Sequence, residues 1–520
     1  MEGSQSQIYY IVPVTEAQPG ETPVYRRKGY EEKLLDTLEG VSTVQDILIK
    51  NFNEVPDMDI LGRRVVLEDG SLDKKITWET YADLKKHATA LGSGILNLGL
   101  TEEKAQFRDY KLRFIGVQSK NSREWYITDT ANCLYNFVTI SLYDTLGEEA
   151  MQYMYNQTEL STVFLTANHA VQTANLAKTG KTQFLKNLVV LDSANLTQEI
   201  RDAVEGVTLY TFEEVLKAGE ENLQEYAKVT PQHVTSFSYT SGTTGQPKGA
   251  MITHQNITAY ISGVSTLAEI YEGDTHISYL PLPHIFERVV WSLILNTRAK
   301  SAIFNGDPKR LVEDLQIIKP NFLMSVPRIY NKFTDAIKGG FAQLPPEKKA
   351  FVDKAVETKL KNLKEKGELA HPQFDDPVFS NVRNMFGGRV RAMVSGSAPL
   401  SQGTKDFFSI ALSAPLYEGY GQTEGCGGEF IQDNKDLSSG NVGGPYPHFE
   451  FKLIDVPAMN YFCTDKDEQG RPAPRGEILV RSKAVFLPTT KTKRRPERRR
   501  MRRVGSTQGI SAPYSPRAEP

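Results

Sequence analysis

Residues 236–249 form the segment whose composition best suits a chemical task. Hydroxyl side chains, three glycines and Lys248 follow directly after a short strand-like run. Glycine lets backbone N–H groups approach oxygen atoms, hydroxyls supply further donors, and the lysine adds a positive charge. The spacing differs from the common P-loop, because Pro247 precedes Lys248 and Gly249 follows it. We predict a polyphosphate-binding loop; a surface turn rich in glycine, serine and threonine is the alternative.

Residues 240–249 resemble the phosphate-binding signature of the acyl-adenylate-forming superfamily. That superfamily includes acyl-CoA synthetases, luciferases and nonribosomal peptide adenylation domains. Residues 279–288 resemble the second shared block of the superfamily, and their residues are most similar to the form of that block in the long-chain fatty acyl-CoA synthetase branch. Residues 417–424 resemble the adenylate-binding block. Further matches follow in the family's order at 121–125, 142–147, 306–308, 326–330, 441–443, 452–457 and 476–478. The resemblance covers about residues 77–486.

His284 lies in the second block, where its chemistry alone leaves two interpretations open. A lone histidine between apolar residues is more often a core residue than a site residue. The resemblance instead implies that His284 lies at the pocket for the acyl carboxylate.

Residues 394–400 are an apolar strand end that runs into small residues, where the backbone can lie flat against adenine. Residues 417–424 could also be a glycine-rich turn after a strand.

The resemblance implies a role for each matching residue. Tyr420 is implied to stack on adenine, Thr423 to contact the α-phosphate and Glu424 to hold Mg²⁺, a cation that prefers carboxylate and phosphate oxygens. The residues implied to be catalytic are Lys248, Thr244, Glu424 and His284. Those implied to contact the nucleotide are Thr240, Ser241, Gly242, Thr243, Thr244, Gly245, Lys248, Gly396, Ser397, Ala398, Glu418, Gly419, Tyr420, Gly421, Gln422 and Thr423.

The implied reaction is a two-step ligation that uses a long-chain fatty acid, ATP with Mg²⁺, and CoA. The fatty acid carboxylate attacks the α-phosphorus to give acyl-adenylate and pyrophosphate, and CoA thiolate then displaces AMP. Two alternatives stay open: a ligase for another acid, such as an aryl or medium-chain acid, and a non-catalytic remnant that binds AMP or acyl groups. Peripheral membrane contact fits the apolar substrate, no nucleic acid partner is expected, and the oligomeric state is left open.

The elements that must position these residues alternate between helices and short β-rich runs. Apolar residues at helical spacing predict an amphipathic helix over 84–98 and another helix over 147–156. Buried strands are predicted at 112–117, 163–165, 188–191, 301–304 and 322–325, and a solvated helical excursion between 340 and 377. This rhythm predicts an α/β fold with two doubly wound parallel-sheet subdomains. A small β-rich subdomain is expected near 443–485.

Composition places the chain among large globular proteins. It has 520 residues, 39% hydrophobic residues and 3 cysteines, which excludes a small disulfide-stapled domain and a collagen-like or disordered chain. The start lacks the apolar core of a secretory signal, and no stretch reaches the roughly 18 apolar residues of a spanning helix. We expect an intracellular protein with reduced, buried thiols, either cytoplasmic or peripheral on a membrane such as the endoplasmic reticulum.

The C-terminal segment 487–520 differs from the rest of the chain. It carries 10 Lys/Arg and 2 Asp/Glu, whereas the whole chain has a net charge of −2. The family continues after this point with a Gly-Trp-Leu-His-Thr-Gly-Asp block and a small mobile domain that carries a lysine, and neither is matched here. A shifted reading frame, which joins the third base of each codon to the first two bases of the next codon, can be tested with the genetic code. Across residues 503–512 this frame permits Gly-Trp-Leu-His-Thr-Gly-Asp-Ile-Gly.

We therefore expect 487–520 to be an out-of-frame tail; a basic tail for anionic membranes or nucleic acid is the alternative. The predicted organisation is an N-terminal extension and lead-in over 1–75, a large AMP-binding domain over 76–486, and a basic, disordered tail over 487–520. Without the small domain, we expect this chain to be impaired in both reaction steps.

Overall fold

The computed structural model describes residues 10–488, except 68, 108–109, 241–246 and 435, together with 502–503. Its helices are α1 (Val44–Glu54), α2 (Tyr81–Asn97), α3 (Arg123–Tyr135), α4 (Glu148–Thr158), α5 (Ala167–Lys178), α6 (Gln198–Ala203), α7 (Phe212–Glu221), α8 (His254–Val264), α9 (Ile285–Thr297), α10 (Leu311–Ile318), α11 (Pro327–Ala342), α12 (Pro346–Lys366), α13 (Ser380–Met385) and α14 (Gln402–Leu412).

The strands alternate with these helices through most of the chain. They are β1 (Ile11–Pro13), β2 (Tyr25–Arg27), β3 (Asp59–Val66), β4 (Leu72–Thr80), β5 (Glu103–Phe107), β6 (Tyr110–Gln118), β7 (Val138–Leu142), β8 (Thr162–Leu165), β9 (Asn187–Val190), β10 (Thr208–Thr211), β11 (Val234–Thr240), β12 (Lys248–Thr253), β13 (Thr275–Ser278), β14 (Lys300–Ile303), β15 (Phe322–Ser325), β16 (Ala392–Ser395), β17 (Leu416–Tyr420), β18 (Phe430–Ile431), β19 (Gly444–Pro445), β20 (Glu450–Ile454), β21 (Glu477–Arg481), β22 (Leu487–Pro488) and β23 (Arg502–Arg503).

Helix α2 forms where the sequence predicts a helix, and its first turn is capped by Thr80 and Asp83. The Thr80 side chain accepts from the Asp83 N–H at 3.2 Å, and Asp83 accepts from the Thr80 N–H at 2.9 Å. This reciprocal capping satisfies donors that the first turn leaves free. Leu84, Leu91 and Ile95 on the inner face are fully buried, as the helical spacing predicts.

The largest sheet carries the phosphate segment. Its order is β10-β9-β8-β6-β7-β11-β12-β22, and β5 pairs with β6. The pairings from β10 to β11 are parallel, whereas β12 and β22 run antiparallel to their neighbours. The β7–β11 pairing brings the phosphate segment beside the first βαβ units.

A second set of parallel strands carries the other motif blocks. Strands β13, β14 and β3 pair in parallel, with β4 antiparallel at the edge, and β15, β16 and β17 form another parallel group. The Asn321 N–H donates to the Thr275 carbonyl oxygen at 2.9 Å and joins the two groups. The structure thus confirms the α/β class with parallel-sheet subdomains.

A separate five-stranded sheet is antiparallel, in the order β1-β2-β20-β21-β23. It confirms β structure within 443–485 and adds strands from the N-terminal lead-in. Residues 487–488 and 502–503, in the predicted tail, lie in strands β22 and β23; the remaining tail residues lie outside the described part.

The predicted helices and strands named above are confirmed, with ends shifted by a few residues. The expected burial of the thiols holds for Cys133 and Cys426 but is wrong for Cys463, which is half-buried with its Sγ 3.5 Å from the Leu453 carbonyl oxygen. No helix within the described ranges combines the length and the apolar character that a membrane span requires.

Candidate active site

The hairpin of β11 and β12 carries the two ends of the predicted phosphate loop. Strand β11 is buried up to Thr240, which pairs with Lys248 across the hairpin. The Thr240 hydroxyl donates to the Lys248 carbonyl oxygen at 3.4 Å, and the Lys248 side chain is exposed. A cation is therefore accessible at the hairpin tip. The predicted residues between them lie outside the described part of the chain: Ser241, Gly242, Thr243, Thr244 and Gly245.

Asn121 fixes the loop that leads into the second motif block. Its side-chain amide donates to the Leu280 carbonyl oxygen at 2.7 Å and to the Ser278 hydroxyl at 2.8 Å. Its oxygen accepts from the Leu282 N–H at 2.9 Å. The buried Asn121 side chain therefore binds residues 278, 280 and 282 and fixes the loop that leads into helix α9.

His284 is the N-cap residue of α9. Its Nδ1 accepts from the Phe286 N–H at 3.1 Å, and burial lowers its pKa. The imidazole is therefore neutral near pH 7 with its proton on Nε2, because Nδ1 is occupied as an acceptor. Nε2 has no hydrogen bond to any residue that the structure describes. It is a donor that can serve a ligand oxygen.

Three segments that are distant in sequence meet at Gly396. A Cβ added at Gly396 would lie 3.8 Å from the Gly419 carbonyl oxygen and 3.8 Å from Cε1 of Phe286. The backbone surface of Gly396 can therefore lie against a flat ring without a side chain between them. The next residue, Ser397, has a φ of 73°, an uncommon backbone conformation outside glycine. Ser397 and Ala398 are exposed beside this meeting point.

A tight turn follows Tyr420 and shapes the predicted adenylate block. A Cβ on Gly421 would lie 1.5 Å from the Gly427 carbonyl oxygen, so only glycine fits. The Gln422 carbonyl oxygen accepts from the N–H groups of Gly425 at 3.1 Å and Gly427 at 3.0 Å. These bonds fold Thr423 and Glu424 into a single short helical turn, with both residues half-buried.

Glu429 supports this turn from inside the protein, although no pattern in the sequence indicates it. The Gln422 side-chain amide donates to Glu429 Oε1 at 3.1 Å. Burial raises the pKa of Glu429 to about 8, helped by the charge of Glu424 and opposed by the Gln422 hydrogen bond. Burial, together with Glu429 and Glu424, also raises the pKa of Tyr420 to about 12. Both groups are uncharged near neutral pH.

The Glu424 carboxylate suits a divalent cation by its chemistry and its surroundings. Within the described residues it makes no hydrogen bond and no ion pair, and a second carboxyl group, Glu429, lies near enough to feel its charge. No cluster of three His, Cys, Asp or Glu side chains there could hold a metal without further ligands. The residues thus fit a hard cation that takes its remaining oxygen ligands from a nucleotide.

The adenylate turn is tied to the phosphate hairpin through the end of the described main segment. The Phe486 N–H donates to the Glu424 carbonyl oxygen at 2.9 Å. The next two residues form β22, which pairs with Met251 and Ala250 of β12, the strand that Lys248 begins. Sequence reasoning missed this link and the Phe286 contact, since both depend on segments far apart along the chain.

Comparison with known proteins agrees with this geometry. Residues 61–488 match the family described as AMP-binding enzyme. The long chain acyl-CoA synthetase 7, peroxisomal, of Arabidopsis thaliana is 32% identical over 92% of this chain and 66% of that protein. The acyl-CoA ligase 891, peroxisomal, of Penicillium roqueforti is 34% identical over 91% of this chain and 68% of that protein. This chain spans about two thirds of the length of these curated relatives.

Solved structures share the fold at lower identity. The adenylation domain of a carboxylate reductase from Mycobacterium chelonae superposes with a TM-score of 0.67 at 21% identity, over 87% of this chain and 66% of that chain. A long-chain-fatty-acid-CoA ligase from Archaeoglobus fulgidus gives a TM-score of 0.60 at 16% identity, over 86% of this chain and 76% of that chain. With the match over residues 61–488, these findings show that the chain belongs to the AMP-binding enzyme family.

Proposed function

We propose that this protein activates a long-chain fatty acid with ATP, first to an acyl-adenylate and then to acyl-CoA. The observation that carries the proposal is the meeting of Phe286, Gly396 and Gly419, which brings three motif blocks to one point. Relatives named acyl-CoA synthetase or acyl-CoA ligase support the choice of reaction. The fatty acid and CoA as substrates, and every residue role given below, are part of the proposal.

In the first step, a carboxylate oxygen of the fatty acid attacks the α-phosphorus of ATP. The new bond is O–P, and the bond between the α-phosphorus and the bridging oxygen breaks to release pyrophosphate. His284 holds the attacking carboxylate through its Nε2–H, and Lys248 with Thr240 and the adjoining loop holds the phosphates. Tyr420 and the Gly396 backbone hold adenine. The protein contributes mainly position and charge stabilisation.

Mg²⁺, held by Glu424 and nucleotide oxygens, would supply charge neutralisation for the departing pyrophosphate. In the second step, CoA thiolate attacks the acyl carbonyl carbon, and the bond to the AMP oxygen breaks. His284 and the Gly396 backbone stay at the acyl and adenine ends of the intermediate. No acid or base is required at the carboxylate in the first step, since it is already ionised near pH 7.

The proposal is tested by pyrophosphate release from the purified 520-residue chain with Mg²⁺ and ATP. Fatty acids of increasing chain length and an aryl acid are compared as substrates, with Glu424→Gln as the inactive control. Release that depends on a long-chain acid is expected, at less than the roughly one turnover per second that is typical of enzymes, since this chain is expected to be impaired in both steps. Release with aryl or medium-chain acids alone would identify another ligase, and binding of ATP without any release would favour the non-catalytic AMP-binding or acyl-binding protein.

The place of action is proposed to be intracellular, in the cytoplasm or on the surface of an organelle membrane. Several relatives carry the word peroxisomal in their names, which supports an organelle. Co-sedimentation of the protein with vesicles tests the membrane contact, and imaging of a fluorescent fusion tests the compartment.

A further inference from the structure

Lys405 is a buried cation that the proposed reaction does not use. It lies on α14, and its side chain is 2% exposed. Its Nζ donates to Gln432 Oε1 at 2.6 Å and to the Ser438 carbonyl oxygen, and lies 3.7 Å from Glu418 Oε1. The ammonium thus has two hydrogen-bond acceptors and one nearby carboxylate of opposite charge. A lysine is seldom buried so fully unless it is paired in this way.

Glu418 is the carboxylate that faces Lys405, and it connects two motif segments. Its Oε2 accepts from the Leu400 N–H at 3.3 Å, at the end of segment 394–400. Its own N–H, in strand β17, donates to Gln432 Oε1 at 2.8 Å. Oε1 of Glu418 has no hydrogen-bond partner among the described residues. The charge of Lys405 is therefore what stabilises that oxygen away from water.

Three carboxylates near Lys405 favour the charged form of its side chain. Burial lowers its pKa below the ordinary value, and the carboxylates of Glu418, Asp436 and Asp406 oppose that shift. Asp406 also accepts from the Ser439 hydroxyl at 2.8 Å, which ties α14 to the loop after β18. The cation thus lies where α14, β17 and this loop meet.

We propose that Lys405 is a positioning residue that holds segments 394–400 and 417–424 in the relative position that nucleotide binding requires. It acts through Glu418 and touches no substrate. The inference rests on the proposed function, which makes these segments the two walls of the adenine site. Without the cation, the buried carboxylate of Glu418 keeps a single N–H donor. Because an unpaired buried charge is costly, we expect this side chain to turn towards water and to lose its hydrogen bond with the Leu400 N–H.

The test compares Lys405→Met with Lys359→Met in the full chain. Lys359 is a matched control because its side chain is 1% exposed and pairs with Asp375. It also donates to the Ser413 hydroxyl at 3.0 Å, and its contacts involve neither motif segment. Each variant loses one buried ammonium and keeps an unbranched apolar side chain of similar length. Gln432→Met, which removes the acceptor shared by Lys405 and Glu418, takes the place of Lys405→Met if that variant does not fold.

Two measurements are made on each variant. Hydrogen exchange followed by mass spectrometry reports on peptides that contain the Leu400 and Glu418 amides, without any ligand. Calorimetry with Mg²⁺ and ATP reports the dissociation constant. We expect Lys405→Met to speed exchange at both amides and to weaken ATP binding about tenfold, while Lys359→Met does neither.

The outcomes separate this inference from the proposed function. Unchanged exchange and affinity in Lys405→Met, or equal changes in Lys359→Met, would overturn the positioning role. Faster exchange with unchanged ATP affinity would also overturn it, because the brace would then have no effect on the nucleotide. If the unmodified chain binds no ATP, the proposed function fails, and the exchange data still decide whether Lys405 orders the two segments.

Discussion

The buried carboxyl group of Glu429 should make the stability of this protein fall as the pH rises. Glu429 is fully buried, and its single side-chain donor is the amide of Gln422 among the residues described. The substitution Glu429→Gln keeps an oxygen acceptor for that amide and removes the ionisable group. We therefore expect the variant to preserve the turn and to remove the dependence on pH.

The size of the effect follows from the pKa of about 8 in the folded protein against 4.5 for an ordinary glutamate. Below the lower value both states bind the proton, and Glu429 has no effect on the pH dependence. Between the two values the unfolded chain releases the proton while the folded protein keeps it, so stability is lost by about 1.4 kcal/mol per pH unit. The whole loss is about 5 kcal/mol and is complete above the folded pKa.

The assay is the midpoint of thermal unfolding for the wild type and for Glu429→Gln, at one scan rate, at pH 5 and at pH 8.5. All other titrating groups are shared, so the difference between the two proteins isolates Glu429. The variant should gain stability over the wild type on going from pH 5 to pH 8.5. Glu357→Gln, at an exposed position on α12, is the control and should show no such gain. An equal difference at both pH values would refute the assignment of Glu429 as a protonated carboxyl group.

Other predictions address the turn, the hairpin and the end of the chain. Gly421→Ala should destabilise the protein by about 1–3 kcal/mol and impair ATP binding, because its Cβ would collide with backbone; Gly403→Ala, which meets nothing within 4 Å, should leave both unchanged or slightly improved. Lys248→Ala should lower pyrophosphate release about tenfold or more without changing the unfolding temperature, and Lys332→Ala, exposed on α11, should change neither. Sequencing the transcript across codons 485–490 should reveal one or two missing or extra bases; a transcript that encodes the printed tail would contradict the frame-shift interpretation.

Much of the fold could be predicted because hydrophobic periodicity reports local burial. The helix predicted over 84–98 is α2, which begins three residues earlier because Thr80 caps it. The strand predicted at 322–325 has those bounds in the structure. Pairing between distant strands could not be predicted in the same way. The contact of β3 with β14 joins residues about 240 positions apart, and nothing in either strand's own pattern selects the other.

In the candidate site, too, local motifs could be predicted from the sequence, whereas contacts between distant segments could not. Its glycines, hydroxyls and carboxylates could be found from sequence because the motif blocks are contiguous, and the structure shows that three of the blocks meet at Gly396. The supporting charges could not be found. Lys405 interrupts the inner face of α14, where a charged residue would ordinarily indicate a solvated surface. Its burial becomes understandable only when Glu418, Gln432 and Ser438 are placed around it.

Lys405 and Glu429 both lie outside the motif blocks, and each contacts a residue within one of them. In the proposed function the residues of the adenylate block contact the nucleotide, and Glu418, with Lys405 behind it, links this block to segment 394–400. Glu429 likewise sets the shape of the turn through Gln422 rather than through any ligand contact. We therefore expect a substitution at Lys405 to change nucleotide affinity and a substitution at Glu429 to change the pH dependence of stability, although both leave the motif residues intact.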